Sequence, residues 1–253
     1  TFLLQPFFPS ADYFFSFNSP SWSLGCEQLF YFCFPLIVPF LHTKRSLFIT
    51  LLICLPIMLA GMYLTNEEQI KAYWYVNPFT RLPDFFVGVL LYQFYRSLCN
   101  KKLFYSTGTL LEAGAVALFL LFFLCAADIP KVYRYSCYYW LPVSLIILIF
   151  ALQQGGISRL LSNRFLIIGG EISYSFYLIH LFIIDTYMRM SAHYHWQIQW
   201  TISVPVILCI TIILSLLSFY YFEKPANKWV KRIFTKKTII NQPHGIINKN
   251  TAN

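Results

Sequence analysis

Residues 200–222 read WTISVPVILCITIILSLLSFYYF, a run of 23 positions without one charged side chain. A helix needs roughly 20 apolar residues to cross the hydrocarbon of a bilayer, so this stretch alone predicts a transmembrane helix. Immediately beyond it the character changes: Glu223 and Lys224 open a segment that carries Lys228, Lys231, Arg232, Lys236 and Lys237. Working back along the chain, six more segments read as spans: Leu24–Leu41, Leu47–Leu64, Leu82–Tyr95, Leu110–Ala127, Tyr138–Leu152 and Ile172–Tyr187. The expected fold is therefore all-α, a polytopic transmembrane bundle of about seven helices. It divides into an extracytoplasmic segment (1–23), a membrane domain (24–222) and a basic cytoplasmic tail (223–253).

Composition agrees. Of 253 residues, 58% are hydrophobic and only 11% are charged, against about 25% charged in an ordinary soluble domain. That excludes a soluble enzyme, a disordered chain and a nucleic-acid-binding module. The net charge of +9 fits basic residues facing anionic lipid. Seven cysteines with no CxxC pair argue against a disulfide framework or a zinc site; free cysteine in an apolar run packs as a small hydrophobe.

Loop charge sets the expected orientation. With the loops numbered alternately, Lys71, Arg81, Lys131, Arg134 and Arg189 fall on one side and the remaining 14 of the 19 basic residues on the other. The positive-inside rule puts the richer side in the cytoplasm, with residues 1–21 outside. At about 1.5 Å per residue the 14-residue segment Leu82–Tyr95 gives roughly 21 Å, short of the ~30 Å core. That implies local thinning, or that Arg81 and Asp84 are drawn into protein-lined space.

Charge inside a bilayer costs several kcal/mol, which makes each such residue a functional candidate. Glu27 lies near the outer start of its segment, with Tyr31 four residues on and able to hold the carboxyl; a carboxylate bonded to a neighbouring helix is the alternative. His180 lies about 12 Å beyond Ile172 by helical rise. With Ser173 and Tyr177 it forms a polar stripe at i, i+4, i+7, suited to a general base or to an interhelical hydrogen bond. Arg81 and Asp84, at i, i+3, read most simply as an ion pair. Glu112 is expected to snorkel or to pair near Lys101 and Lys102, and Asp185 to be interfacial. His193 and His195 on a loop are a weak metal signal, and no metal is expected. The tail, with Trp229, Ile233 and Phe234 among its lysines, suits an interfacial helix on anionic lipid, and 241–253 is expected to be disordered.

Four stretches carry a resemblance. SPSWSLGCEQLFYFCFPLIVP (19–39) places Trp22, Ser23, Leu24, Glu27, Phe30, Tyr31 and Pro35 on the signature of the acyltransferase-3 family of integral-membrane O-acyltransferases. RLPDFFVG (81–88), GGEISYSFYLIH (169–180) and YFEKPANKW (221–229) resemble later motifs of that family, in the same order. Each is weak alone; four in sequence across most of the chain are specific. The resemblance implies transfer of an acyl group, usually acetyl, from acyl-CoA as co-substrate, with no bound cofactor. The acceptor would be a hydroxyl of a cell-surface carbohydrate, lipopolysaccharide or lipid-linked glycan. It puts Glu27 and Trp22 in the active cavity, with Arg81 and His180 in or beside it, and leaves Ser23, Tyr31, Asp84, Ser173 and Tyr177 as positioning candidates.

The same resemblance implies about ten helices and an early Arg or Lys followed some eleven positions on by a central histidine. No His, Lys or Arg precedes Glu27, so the expectation is an N-terminally truncated sequence, with His180 assisting and not standing in for that histidine. Two alternatives remain at this stage: a catalytically inactive relative, and a glycan-export or flippase-like transporter using the same polar cavity.

Overall fold

The structure, a computed structural model, describes residues 3–16, 18–37, 39, 43–195 and 199–240. Among the described residues every regular element is helical. The principal helices are α1 (Trp22–Ile37), α2 (Lys44–Leu64), α3 (Pro78–Leu98), α4 (Tyr105–Cys125), α5 (Trp140–Leu152), α6 (Gly156–Leu161), α7 (Arg164–Tyr194), α8 (Trp200–Ser218) and α9 (Lys224–Ile240). Each expected span overlaps one of them, with differences of a few residues at the ends; residues 38, 40 and 41 lie outside the described residues, as does 241–253. Among the described residues, four helical stretches are long and apolar enough to cross a membrane: Lys44–Leu64, Tyr105–Asp128, Arg164–Tyr194 and Trp200–Phe234.

Local chemistry sets several boundaries. Thr43 Oγ1 accepts from Ser46 N at 3.1 Å while Ser46 Oγ accepts from Thr43 N at 3.4 Å, a reciprocal cap that starts α2. Asn77 Oδ1 accepts from Phe79 N at 2.9 Å, and Pro78 occupies the first turn of α3, where its missing N–H is harmless. That start corrects the expectation of a short segment. α3 has 21 residues, about 31 Å by helical rise, because Arg81 and Asp84 sit inside its first turns.

The chain separates into two compact units, Thr1–Ile168 and Gly169–Asn253. In the first, α3 is central and packs on α1, α2 and α5, while α4 packs on α5. Antiparallel helices give this unit two ends. At one, Trp74 and Ile70 pack with Met58, Met62 and Val132, and Phe14 packs with Ala72 and Val76. At the other, Gln154 ties down the turn after α3: its Nε2 donates to Lys101 O and its Oε1 accepts from Leu103 N, both at 2.8 Å.

That second end also holds Glu112, which is buried at 1% exposure. Its Oε1 accepts from Gly155 N at 3.0 Å, and its Oε2 from Ile157 N at 2.8 Å and Ser158 N at 3.1 Å; Ser158 Oγ donates to Oε1 as well. The carboxylate thus satisfies backbone donors at the start of α6, which have no intrahelical partner. The expectation that Glu112 snorkels toward Lys101 and Lys102 is corrected: three converging N–H groups outcompete a solvated lysine.

In the second unit α7 is 31 residues long. Tyr187 and Ser203 share a hydrogen bond between their hydroxyls, and Ser175 Oγ donates to Glu223 Oε1. These contacts join opposite ends of the two elements, so α7 and α8 run antiparallel. After α8 a π-helical turn (Phe219–Glu223) leads into α9, whose Trp229 and Phe234 are exposed.

Candidate functional site

The sequence candidates in the first unit converge at the end where residues 65–77 and 126–139 meet. Arg81 is held from two sides. Its Nε donates to Tyr75 O at 2.9 Å and its Nη1 to Asp84 Oδ2 at 3.0 Å, while the guanidinium lies 5.5 Å from the centre of the Tyr75 ring. Asp84 spends its other oxygen on Trp140 Nε1 at 2.5 Å. Trp22 packs on Tyr75 with ring centroids 4.8 Å apart, and Tyr75 packs on Tyr135 at 5.1 Å. A fork-shaped cation held by both a backbone carbonyl and a carboxylate has little rotational freedom. Among the described residues no hydrogen bond engages Nη2.

Glu27 lies one turn along α1 from Trp22 and is exposed. Its charge, with those of Arg81 and Asp84, falls within electrostatic range of the buried Cys26 thiol, which donates to Val76 O at 3.4 Å. Trp22 and Asp84 are thus linked to Arg81, the first through Tyr75 and the second by a direct ion pair, whereas among the described residues Glu27 makes no hydrogen bond or ion pair to them. Tyr31 is not part of this cluster: the ring is 71% exposed, and among the described residues no hydrogen bond joins it to Glu27. Ser23 Oγ donates to Pro20 O at 3.0 Å, a local turn contact.

In the second unit, His180 Nδ1 lies 2.7 Å from Tyr177 O and the ring stacks on Phe176, nearly parallel with centroids 6.0 Å apart. A carbonyl only accepts, so Nδ1 is the donor in that contact. The Ser173–Tyr177–His180 stripe does not face the interior of its unit. Ser173 Oγ donates back to Gly170 O at 2.7 Å, whereas Ile172 and Ser175 are buried. Ser175 is thus the serine of this motif with a long-range partner, Glu223 of the closing motif. Asp185 pairs with Arg189 at 2.9 Å in an exposed i, i+4 contact. Among the described residues no three His, Cys, Asp or Glu side chains come together as metal ligands.

In the first unit, Tyr75, Trp140 and Cys26 organise the cluster without having been sequence candidates. In the second, Glu223 is the partner of Ser175, and its signal was its place two positions before a proline in a motif-like segment.

The profile of the acyltransferase-3 family, described as an acyltransferase domain, matches residues 1–220. The chain belongs to this family. It is 28% identical over 221 residues to "O-acetyltransferase OatA" of Staphylococcus aureus (strain NCTC 8325 / PS 47), covering 82% of this chain and 36% of that protein. It is 27% identical over 202 residues to "Acyltransferase MdmB" of Streptomyces mycarofaciens, covering 72% and 49%. It is 26% identical over 257 residues to "Putative peptidoglycan O-acetyltransferase YrhL" of Bacillus subtilis, covering 93% and 39%. The chain thus spans less than half the length of each of these relatives. No solved structure matches it.

Within this acyltransferase-3 chain the Ser175–Glu223 contact ties two family-like motifs together. Ser175→Ala leaves the Glu223 carboxylate without its donor, and one lost charged hydrogen bond is worth about 1.5–3 kcal/mol. We expect a lower thermal midpoint in detergent, with Ser175→Thr, which keeps the hydroxyl, closer to the parent. Equal midpoints for all three proteins refute the contact.

Proposed function

We propose that this chain acts in a membrane-bound O-acyltransferase that moves an acetyl group from acetyl-CoA to a hydroxyl of a cell-surface carbohydrate or lipid-linked glycan. The observation that supports it most is the fixed Arg81, held by Asp84 and the carbonyl of Tyr75, on whose ring Trp22 packs. Acyl transfer forms a bond between the acceptor oxygen and the acyl carbon, breaks the carbon–sulfur bond, and passes the hydroxyl proton to the departing thiolate. It needs an acceptor for that proton and donors for the oxyanion that develops on the acyl carbonyl.

In this reading Glu27 orients and deprotonates the acceptor hydroxyl, and Arg81 Nη2 donates to the acceptor or to the developing oxyanion. Asp84, Trp140 and Tyr75 are positioning residues for Arg81. His180, in the second unit, is the candidate for assisting proton movement. Trp22 offers a flat face of the kind sugars stack on. The end bearing Glu27 and Arg81 faces outward and the basic ends and tail face the cytoplasm, in line with the loop charges.

Membranes containing the chain, given labelled acetyl-CoA and cell-wall glycan, are expected to yield alkali-labile acetyl esters on the glycan. Glu27→Gln is expected to lower the yield by about 10²-fold, the lower range of a general-base contribution. No ester above membranes lacking the chain overturns the function; an unchanged yield in Glu27→Gln removes Glu27 from the mechanism.

A further inference from the structure

We propose that an open cleft between α3 and α5, headed by the Arg81–Asp84 pair, seats the hydrocarbon tail of a lipid-linked sugar and so presents its head at the site. The cleft encloses about 260 Å³. Its walls are graded. Arg81, Asp84 and Ser136 stand at one end, followed by Gly88, Leu91, Val143 and Ile147, with Ser144 among them. Charge at the mouth above a mainly apolar wall is the polarity of an amphiphile anchored at the bilayer surface.

Length supports the same occupant. From Arg81 to Leu91 is ten residues, about 15 Å of helix, half of a ~30 Å hydrocarbon core. The cleft therefore matches the depth of one leaflet, entered from the end that carries the polar cluster. Asp84 balances the charge of Arg81 at the mouth, and the Ser136 hydroxyl can donate to the hydroxyls of a sugar.

Gly88 gives the cleft its width. A Cβ built there meets nothing within 4 Å, so the position tolerates a side chain and has no packing reason to lack one. A phenylalanine at 88 fills the channel from the α3 wall, and a tryptophan at 147 fills it from the α5 wall.

The inference rests on the acyl-transfer reading for why a sugar lipid docks here, but its test reads binding. The whole chain in lipid nanodiscs is exposed to three photoactivatable probes: a farnesyl-phosphate-linked N-acetylglucosamine with a diazirine on the isoprenoid, phosphatidylglycerol with a diazirine on one chain, and octanoyl-CoA with a terminal diazirine. Cross-linked peptides are then mapped. The sugar lipid is expected to label 87–91 and 143–147, and both Gly88→Phe and Ile147→Trp are expected to lose that labelling while keeping the parent's thermal midpoint.

Equal labelling of the cleft by phosphatidylglycerol overturns the proposal and makes the cleft ordinary lipid-facing surface. Preferential labelling by octanoyl-CoA overturns it in favour of a donor site. Labelling that persists in both filled variants also overturns it. If the sugar lipid labels the cleft as expected and no ester forms on any glycan, the acyl-transfer reading fails and the lipid site stands.

Discussion

Glu112→Ala is expected to destabilise the protein by about 3–5 kcal/mol, the range for removing one partner of a fully buried charged network. The substitution leaves three backbone N–H groups and the Ser158 hydroxyl without the acceptor they share. Each buried orphan loses about 1–3 kcal/mol, less where water reaches it. A whole domain is stable by only about 5–15 kcal/mol, so the loss should be visible as partial unfolding at moderate temperature. Glu112→Gln is expected to fall between: its oxygen keeps one set of donors while its amide turns N–H against the other. Gly155 supplies an independent check, since a Cβ there would fall on the Glu112 carboxyl, and Gly155→Ala should reproduce much of the loss. The seven free cysteines make a thiol-reactive dye a direct reporter of unfolding on heating. A midpoint for Glu112→Ala equal to the parent's means that these donors find other acceptors, and the network is then not what holds α6 on α4.

The helices were legible because apolar runs longer than about 18 residues have few alternatives to spanning a bilayer. The one misjudged in length, α3, was trimmed at its own charged residues. A hydropathy reading treats Arg81 and Asp84 as an end, whereas Asn77 and Pro78 begin the helix one turn earlier and the two charges neutralise each other inside it. Of the site, the charged and motif-bearing members were legible: Glu27, Arg81 and Asp84 because charge is rare in such segments, Trp22 from the family-like motif. Their organisers were not. Trp140 lies 56 positions from Asp84, and Tyr75 sits in an irregular helical turn with no period to read. An aromatic residue near the end of a membrane helix is so common at the interface that nothing marked these two. The polar stripe on α7 was legible only in part, for a related reason. Periodicity groups Ser173, Tyr177 and His180 on one face without saying which face packs inward, and the buried face is that of Ile172 and Ser175.

Arg81→Ala is expected to reduce acetyl transfer by about 10²–10³-fold, the measured scale for losing a preorganised oxyanion donor. Arg81→Lys is expected to recover little of it. A lysine restores the charge, but its single ammonium lacks the planar fork with which Arg81 binds Tyr75 O and Asp84 Oδ2 together while keeping Nη2 for the substrate. Arg81 also neutralises a half-buried carboxylate, so loss of activity alone would not separate chemistry from folding. The double substitution Arg81→Ala/Asp84→Ala does. Removing both charges leaves no unpaired carboxylate, and such double replacements are commonly less disruptive than the single one. The double variant should therefore regain much of the stability that Arg81→Ala loses, and should regain no activity. Trp140→Phe sits between these: it keeps the ring and drops one hydrogen bond to Asp84, about 1.5–3 kcal/mol for a charged acceptor, so it should lower kcat through a loosened Arg81 with little change in KM for the donor. Should the double variant recover transfer along with stability, Arg81 is a counter-ion to Asp84 and the oxyanion donor must be sought on another residue.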